Sequence, residues 1–113
     1  MTGIEQLPFS APEVIVAIQD PAPPAVTITS PLEGASLQRK STVTISAIAS
    51  DTVGMTKVEF YVNGQLACSD ITGPYTCAWK VPAAPGRTYR LQAKAYDAQG
   101  NVGSSSVVTV NVP

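Results

Sequence analysis

The segment Lys57-Val-Glu-Phe-Tyr-Val62, followed by Asn63-Gly64 and Gln65-Leu-Ala-Cys-Ser-Asp70, decides the fold of this chain. Its first part alternates apolar and polar residues, as a strand with one buried face does. Asn63-Gly64 then supplies the two positive-φ residues that a type I′ hairpin turn requires. The last part returns as the partner strand, with Leu66 and Cys68 predicted to face inward. The segment is therefore predicted to form a β-hairpin.

The same alternation recurs on both sides of this hairpin, and turn-forming residues separate the segments about every ten positions. The further predicted strands are Val26–Thr29, Thr42–Ser50, Tyr75–Val81, Arg87–Asp97 and Ser105–Val112. Together with the hairpin they make seven short strands. Such a pattern is typical of an all-β sandwich or barrel.

The two cysteines, Cys68 and Cys77, both fall on the apolar side of neighbouring predicted strands. The loop Ser69–Thr76 joins those strands, so a disulfide between the two side chains is geometrically reasonable. A disulfide would place the protein in an oxidising compartment. The alternative is a pair of buried reduced thiols.

The composition of the 113-residue chain excludes several classes of function. The chain holds no histidine, which removes catalysis by an imidazole base and most zinc sites. Its seven Lys and Arg residues are scattered, so nucleic-acid binding is not expected. No apolar run is long enough for membrane insertion. We therefore expect a noncatalytic protein of one globular domain.

Residues 1–23 differ from the rest and are predicted to be an N-terminal extension with a proline-rich linker, while residues 24–113 form the domain. The stretch Pro21-Ala-Pro-Pro24 is typical of a stiff, extended linker. Before it, Glu13–Ile18 alternates as a further strand. It could be the last strand of a preceding, similar repeat, and the alternative is an unrelated tail.

Several motifs follow one another in a recognisable order. They are Val26-Thr-Ile-Thr-Ser-Pro31, Ala49-Ser-Asp-Thr-Val-Gly54, Lys57-Val-Glu-Phe-Tyr-Val-Asn-Gly64, Gly73-Pro-Tyr75, Trp79 and Leu91-Gln-Ala-Lys-Ala-Tyr-Asp-Ala-Gln-Gly-Asn101. With them, the chain from Ala25 to Val112 resembles the bacterial immunoglobulin-like domains of secreted and cell-surface multidomain proteins. The Cys68–Cys77 pair departs from the common pattern of that family.

This resemblance implies a seven-stranded immunoglobulin-like antiparallel β-sandwich that is secreted or displayed at the cell surface. It also implies a spacer, stalk or accessory role in an extracellular hydrolase or adhesin. The partners would then be the neighbouring domains of the same polypeptide, and the module itself would be a monomer. The alternative is an adhesion module that binds a polysaccharide or a cell-surface protein.

One candidate site lies in the loops at one end of such a sandwich. The B–C and F–G loops of the fold lie at the same end, and Asp51 begins the first while Asp97 begins the second. With Asn101 they offer oxygen ligands of the kind that calcium prefers. The alternative is that each aspartate caps its own turn. No other cofactor is expected.

The second candidate site is a pair of tyrosines. Tyr61 and Tyr96 fall on the outward side of adjacent predicted strands. Two such rings could form an aromatic platform for a sugar ring. The alternative is simple cross-strand packing of the two side chains.

Overall fold

The computed structural model describes residues 23–51 and 54–113. Its elements are β1 (Ala25–Ser30), β2 (Thr42–Ser50), β3 (Met55–Val62), β4 (Gln65–Asp70), β5 (Tyr75–Lys80), β6 (Arg87–Asp97), β7 (Val102–Ser104) and β8 (Val108–Val112). The predicted strand Glu13–Ile18 and the first two residues of the linker, Pro21 and Ala22, lie outside the described residues. Within the described residues, no helix has the length and apolar character that crossing a membrane requires.

The strands form two antiparallel sheets that face each other. The three-stranded sheet has the order β1-β2-β5, and the five-stranded sheet has the order β4-β3-β6-β7, with β8 also paired to β6. The predicted all-β, immunoglobulin-like sandwich is thus confirmed, with eight strands where seven were predicted.

The additional strand, β7, lies just before the predicted strand Ser105–Val112, which itself begins only at Val108. The backbone N–H of Ser105 donates to the carbonyl of Ala93 at 2.8 Å, and the hydroxyl of Ser105 accepts the backbone N–H of Ala93 at 2.9 Å. In a continuous β-ladder the N–H of Ala93 would donate to a backbone carbonyl. Here the Ser105 side chain takes the place of that carbonyl. The chain therefore interrupts its pairing with β6 at Ser105 and resumes it at Val108.

The core lies between the two sheets and follows the predicted alternation in β2, β3, β5 and β6. Its buried apolar residues are Val26, Ile28, Ile45, Ala47, Val58, Phe60, Cys77, Trp79, Val81, Leu91, Ala93, Ala95, Val110 and Val112. Burying one large aliphatic or aromatic side chain contributes about 1.5–3 kcal/mol. Trp79 packs edge-to-face on Tyr89, with ring centroids 5.3 Å apart.

One inward assignment was wrong: Leu66 is 56% exposed. Phe60 pairs with Cys68, whereas the next residue, Tyr61, pairs with Leu66, so the register shifts and Ala67 is the extra residue of a β-bulge. The bulge turns Leu66 to the outward side that Tyr61 occupies. Cys68 stays on the inward side, as predicted, and is partly buried against the core.

The predicted disulfide between Cys68 and Cys77 is present, with the two Cα atoms 5.7 Å apart. The strands that it joins belong to different sheets: β4 is the edge of the five-stranded sheet and β5 the edge of the three-stranded sheet. The carboxylate of Asp70 accepts the backbone N–H groups of Thr72 and Thr76, each at 3.1 Å, and so orders the loop between the cysteines. The bridge therefore ties the two sheets together along one side of the sandwich.

The other side of the sandwich is closed where β1 approaches β7. A Cβ atom placed on Gly103 would overlap the carbonyl oxygen of Pro24. Only glycine allows this approach, which brings the beginning of the domain against the five-stranded sheet.

The loop after β1 covers the outer edge of β8. Its segment 34–37 runs parallel to β8, with a bridge between Ser36 and Asn111. The N–H of Gly34 donates to the carbonyl of Thr109 at 2.7 Å, and the N–H of Leu37 donates to that of Asn111 at 2.8 Å. Covering an edge in this way prevents its pairing with another chain.

Candidate functional site

The turn between β3 and β4 has the predicted type I′ character. Asn63 has φ 50° and Gly64 has φ 81°, so both residues occupy the left-handed region. The turn is fixed to β6, because the N–H of Asn63 donates to the carbonyl of Arg90 at 2.8 Å. In return, the Asn63 side-chain oxygen accepts the N–H of Arg90 at 2.9 Å. These bonds place the Arg90 side chain beside the hairpin turn.

The pairing of β3 with β6 brings polar residues together on the outward face of the five-stranded sheet. Lys57 pairs with Tyr96, Glu59 with Lys94, and Tyr61 with Gln92. Their neighbours along both strands face the core, so these six side chains point away from it. This outward surface, formed by β3 and β6, is called the polar face below.

Glu59 lies at the centre of the polar face and is only 9% exposed. The hydroxyls of Tyr61 and Tyr96 both donate to its Oε1, at 2.7 Å and 2.6 Å. The Lys57 ammonium lies 3.3 Å from its Oε2. The buried carboxylate therefore holds two aromatic rings and one cation in place.

The hydrogen bonds within this cluster change the acidity of its members. Those from Tyr96 and Tyr61, helped by Lys57, lower the pKa of Glu59 although burial opposes them. The hydrogen bond to Glu59, with burial, raises the pKa of Tyr61 and of Tyr96. At neutral pH an ionised carboxylate is therefore surrounded by neutral phenols.

Tyr61 and Tyr96 both lie on the outward side, as predicted, but neither ring is an open flat surface. The Lys57 ammonium lies 4.6 Å from the centroid of the Tyr96 ring, and the Lys94 ammonium lies 4.9 Å from that of Tyr61. Both tyrosines are half-buried. Each aromatic ring is thus presented together with a cation. Binding of a sugar by the two tyrosines stays a prediction.

A groove of about 550 Å³ lies on the polar face next to the hairpin turn. Its lining comprises Tyr61, Asn63, Gly64, Arg90, Gln92, Lys94 and Val107. Within residues 23–51 and 54–113, the single ion pair joins Lys57 to Glu59, so neither cation of the groove has an anionic partner there. The groove therefore combines positive charge, an aromatic ring and amide groups.

The loops predicted to hold calcium do meet at one end of the sandwich, since the N–H of Ala98 donates to the carbonyl of Gly54 at 3.0 Å. The Oδ1 atom of Asp97 accepts the N–H groups of Gln99 and Asn101, each at 2.9 Å. Its Oδ2 accepts the side-chain N–H of Asn101 at 3.0 Å. Asp97 thus caps its own turn, as the alternative interpretation predicts.

The surroundings of Asp97 also change its acidity. Burial works to raise the pKa of Asp97, but the Asn101 amide and the backbone N–H groups of the turn outweigh it and hold the pKa below its ordinary value. Among the described residues, no three His, Cys, Asp or Glu side chains are grouped as metal ligands. Calcium binding by Asp51, Asp97 and Asn101 stays a prediction.

Sequence reasoning placed the tyrosines outward but missed Lys57, Glu59, Arg90 and Lys94 as members of a site. The signal available in the sequence was the alternation itself. Side chains at every second position of a strand lie on one face, so the residues two positions from Tyr61 in β3 and from Tyr96 in β6 must also face outward. Only the register between β3 and β6 shows which of them meet.

Comparisons with known proteins agree with this architecture. The sequence model of the bacterial Ig domain family matches residues 24–93. A solved structure of the fibronectin(III)-like modules of Clostridium thermocellum CbhA is 35% identical, with a TM-score of 0.72 over 78% of this chain and 94% of that one. No curated protein matches the chain.

Two more distant structures share the fold alone. The SrpA adhesin of Streptococcus sanguinis, an R347E mutant, is 15% identical, with a TM-score of 0.58 over 84% of this chain and 60% of that one. The Bacteroides ovatus protein SGBP-B, solved with a mixed-linkage heptasaccharide, is 17% identical, with a TM-score of 0.52 over 84% of this chain and 26% of that one. The match over most of the sandwich, taken with its two-sheet topology, means that this chain belongs to the bacterial Ig domain family.

Proposed function

We propose that this chain is a noncatalytic extracellular module that acts as a spacer or accessory domain in a secreted multidomain protein. Modules of this family are generally noncatalytic. Its likeness to the CbhA fibronectin(III)-like modules supports a role as one unit among several. The disulfide between β4 and β5 suits an oxidising, extracellular environment.

The observation that carries the proposal is the position of the two ends of the domain. Pro24 lies against Gly103, and Gly103 pairs with Ala95 near the end of β6. Val112, the last residue of β8, pairs with Arg87 at the beginning of β6. The distance along β6 from Arg87 to Ala95 is about 26 Å, at ~3.3 Å per residue. The chain therefore enters and leaves at opposite ends of the sandwich.

Such a geometry connects modules in line rather than side by side. Each copy in a series adds its own length, and the proline-rich segment before Pro24 would limit bending between copies. The covered edge of β8 favours the same arrangement, because segment 34–37 already pairs with it. A neighbouring module therefore gains little by pairing laterally with β8.

Small-angle X-ray scattering of two and three copies of the whole chain, joined end to end, tests this role. We expect the maximum dimension to grow by at least about 26 Å with each added copy, the length measured along β6. A matched control replaces Pro21 and Pro23 by glycine, which should shorten the average end-to-end distance. Growth well below this value in the native series would mean that the copies fold back on one another, and would contradict a spacer role.

A further inference from the structure

We propose that the groove beside Tyr61 binds a carboxylate-bearing saccharide, a polyuronate chain, with Arg90 and Lys94 as its charged contacts. This inference goes beyond the spacer role, which needs no ligand. It also changes the sugar platform predicted from Tyr61 and Tyr96. Only the Tyr61 ring is kept, two cations are added to the site, and the expected ligand is an anionic saccharide.

The charge of the groove is the first argument. Arg90 is exposed and Lys94 is half-buried, and both line the groove. The carboxylate of the polar face, Glu59, is already bound by Lys57 and two phenol hydroxyls. A ligand carboxylate would therefore meet cations whose charge the described residues leave uncompensated.

Glu33 is a second carboxylate close to Arg90 in the sheet. Its Oε1 accepts the backbone N–H of Thr109 at 2.9 Å, and Thr109 pairs with Arg90. Glu33 forms no ion pair with Arg90 among the described residues. The guanidinium of Arg90, with its planar set of donors, thus stays available for bidentate binding of a carboxylate.

The spacing of the two cations is the second argument. Arg90 and Lys94 stand four positions apart on β6, so they share a face and their Cα atoms are separated by about 13 Å. One small carboxylate would contact both only if the two long side chains bent toward each other. A polymer that repeats its carboxylates along the chain can reach both cations, with Gln92 between them.

The remaining lining of the groove suits a sugar ring. The Tyr61 ring is held in position by its hydrogen bond to Glu59. The Lys94 ammonium lies over this ring, so the C–H face of a sugar would pack on the part of the ring that the ammonium leaves open. The amides of Asn63 and Gln92 lie beside it. The volume of 550 Å³ lies within the usual range of small-ligand sites, and the lining is more polar than usual, as suits a hydrophilic sugar.

A saccharide fits this position better than an acidic peptide does. Extended peptides commonly bind by adding a strand to a free sheet edge. The groove instead lies over β6, which is paired with β3 on one side and with β7 and β8 on the other. The backbone of β6 is therefore engaged in the sheet, and only side chains are offered to a ligand.

Isothermal titration of the whole chain with oligogalacturonate tests the proposal, with the methyl-esterified oligosaccharide and polyglutamate as comparison ligands. We expect binding of oligogalacturonate, and weaker or no binding of the two others. Arg90→Gln and Lys94→Gln should each reduce the affinity about tenfold, as expected for a hydrogen bond to a charged group. Lys80→Gln removes the same charge from the outward face of β5 and should leave the affinity unchanged.

Two tyrosine variants refine the test. Tyr61→Phe keeps the ring and should retain most of the binding, whereas Tyr61→Ala should weaken it. Thermal unfolding of every variant shows that the fold is kept. The proposal is overturned if oligogalacturonate does not bind, if Lys80→Gln weakens binding as much as Arg90→Gln, or if polyglutamate binds equally well. The scattering of joined copies is unaffected by any of these results, so the two proposals fail separately.

Discussion

The outward faces of the two sheets differ although their inward faces follow the same pattern. The three-stranded sheet presents mainly short side chains: Thr27, Thr29, Thr42, Thr44, Ser46, Ile48, Thr76 and Ala78, with Lys80 at its end. The five-stranded sheet presents long polar and aromatic ones: Lys57, Glu59, Tyr61, Arg90, Gln92, Lys94 and Tyr96. Burial of the core determines the inward residues of both sheets. The outward residues are much less constrained by folding, and there the long side chains are concentrated on one side.

The inward faces of the two sheets should contribute similarly to the free energy of unfolding, because both sheets supply residues to one core. Phe60 in β3 is 0% exposed and Ile45 in β2 is 1% exposed. Phe60→Ala should lower the free energy of unfolding by about 3–5 kcal/mol and Ile45→Ala by about 2–5 kcal/mol, through lost burial and a residual cavity. Urea denaturation measures both. A near-neutral effect of either variant would break the equivalence of the two inward faces.

The disulfide should stabilise the sandwich as a link between the two sheets. Replacing Cys68 and Cys77 together by serine should lower the free energy of unfolding by about 2–3 kcal/mol, because the bridge restricts the unfolded chain. Denaturation in urea measures this loss, and the unchanged protein in a reducing agent should show a similar one. If neither treatment shifts the transition, the bridge adds nothing to the link between the sheets.

On the opposite side of the sandwich, the two sheets are held together by the close packing of Gly103 against Pro24 and not by a covalent bond. Gly103→Ala should lower the free energy of unfolding by about 1–3 kcal/mol, since the new methyl group must displace the backbone of Pro24. Ser104→Ala, at the exposed next position, serves as the control and should change it by less than about 0.5 kcal/mol. Equal, small effects of the two variants would show that β1 and β7 do not meet as described.

The outward faces should differ in their response to acid. The pKa of Glu59 lies below its ordinary value of 4.5, so its contribution to stability is present above that pH and is lost as the pH falls through the lowered value. Glu59→Gln should therefore flatten the decline of stability below about pH 4.5, leaving the part due to Asp97, whose pKa is also lowered. Thr44→Ala on the three-stranded sheet should leave the pH dependence unchanged. The urea midpoint of each variant is measured between neutral and acid pH. If the midpoints of Glu59→Gln and Thr44→Ala fall equally with pH, Glu59 has no special role in acid stability.

Local pattern predicted most of the fold because one buried face forces alternation on each strand. The Asn63-Gly64 turn was predictable for the same local reason, since few residues accept positive φ. The failures occur where a single residue interrupts that regularity. The bulge at Ala67 turned Leu66 outward. The Ser105 hydroxyl bonded to β6, so the predicted strand Ser105–Val112 begins only at Val108, and the short strand β7 before it was not predicted. Neither event has a clear signature in the alternation of hydrophobic residues.

The candidate site was harder to predict, because it depends on contacts between residues far apart in the chain. Tyr61 meets Lys94 through the register of β3 and β6, and alternation alone does not set this register. The disulfide illustrates the same limit: Cys68 and Cys77 were predicted on neighbouring strands, and the structure places those strands in separate sheets. The inward or outward side of a residue is local information, whereas its partner is not.

The most direct measurement of the difference between the two faces is amide chemical-shift mapping of the labelled chain during titration with oligogalacturonate. We predict that the largest shifts occur at Tyr61, Asn63, Arg90, Gln92 and Lys94, which line the groove. Thr44, Ile48 and Ala78, on the three-stranded sheet, should not respond. Shifts on the three-stranded sheet instead, or no shift at millimolar ligand, would contradict the assignment of binding to the polar face.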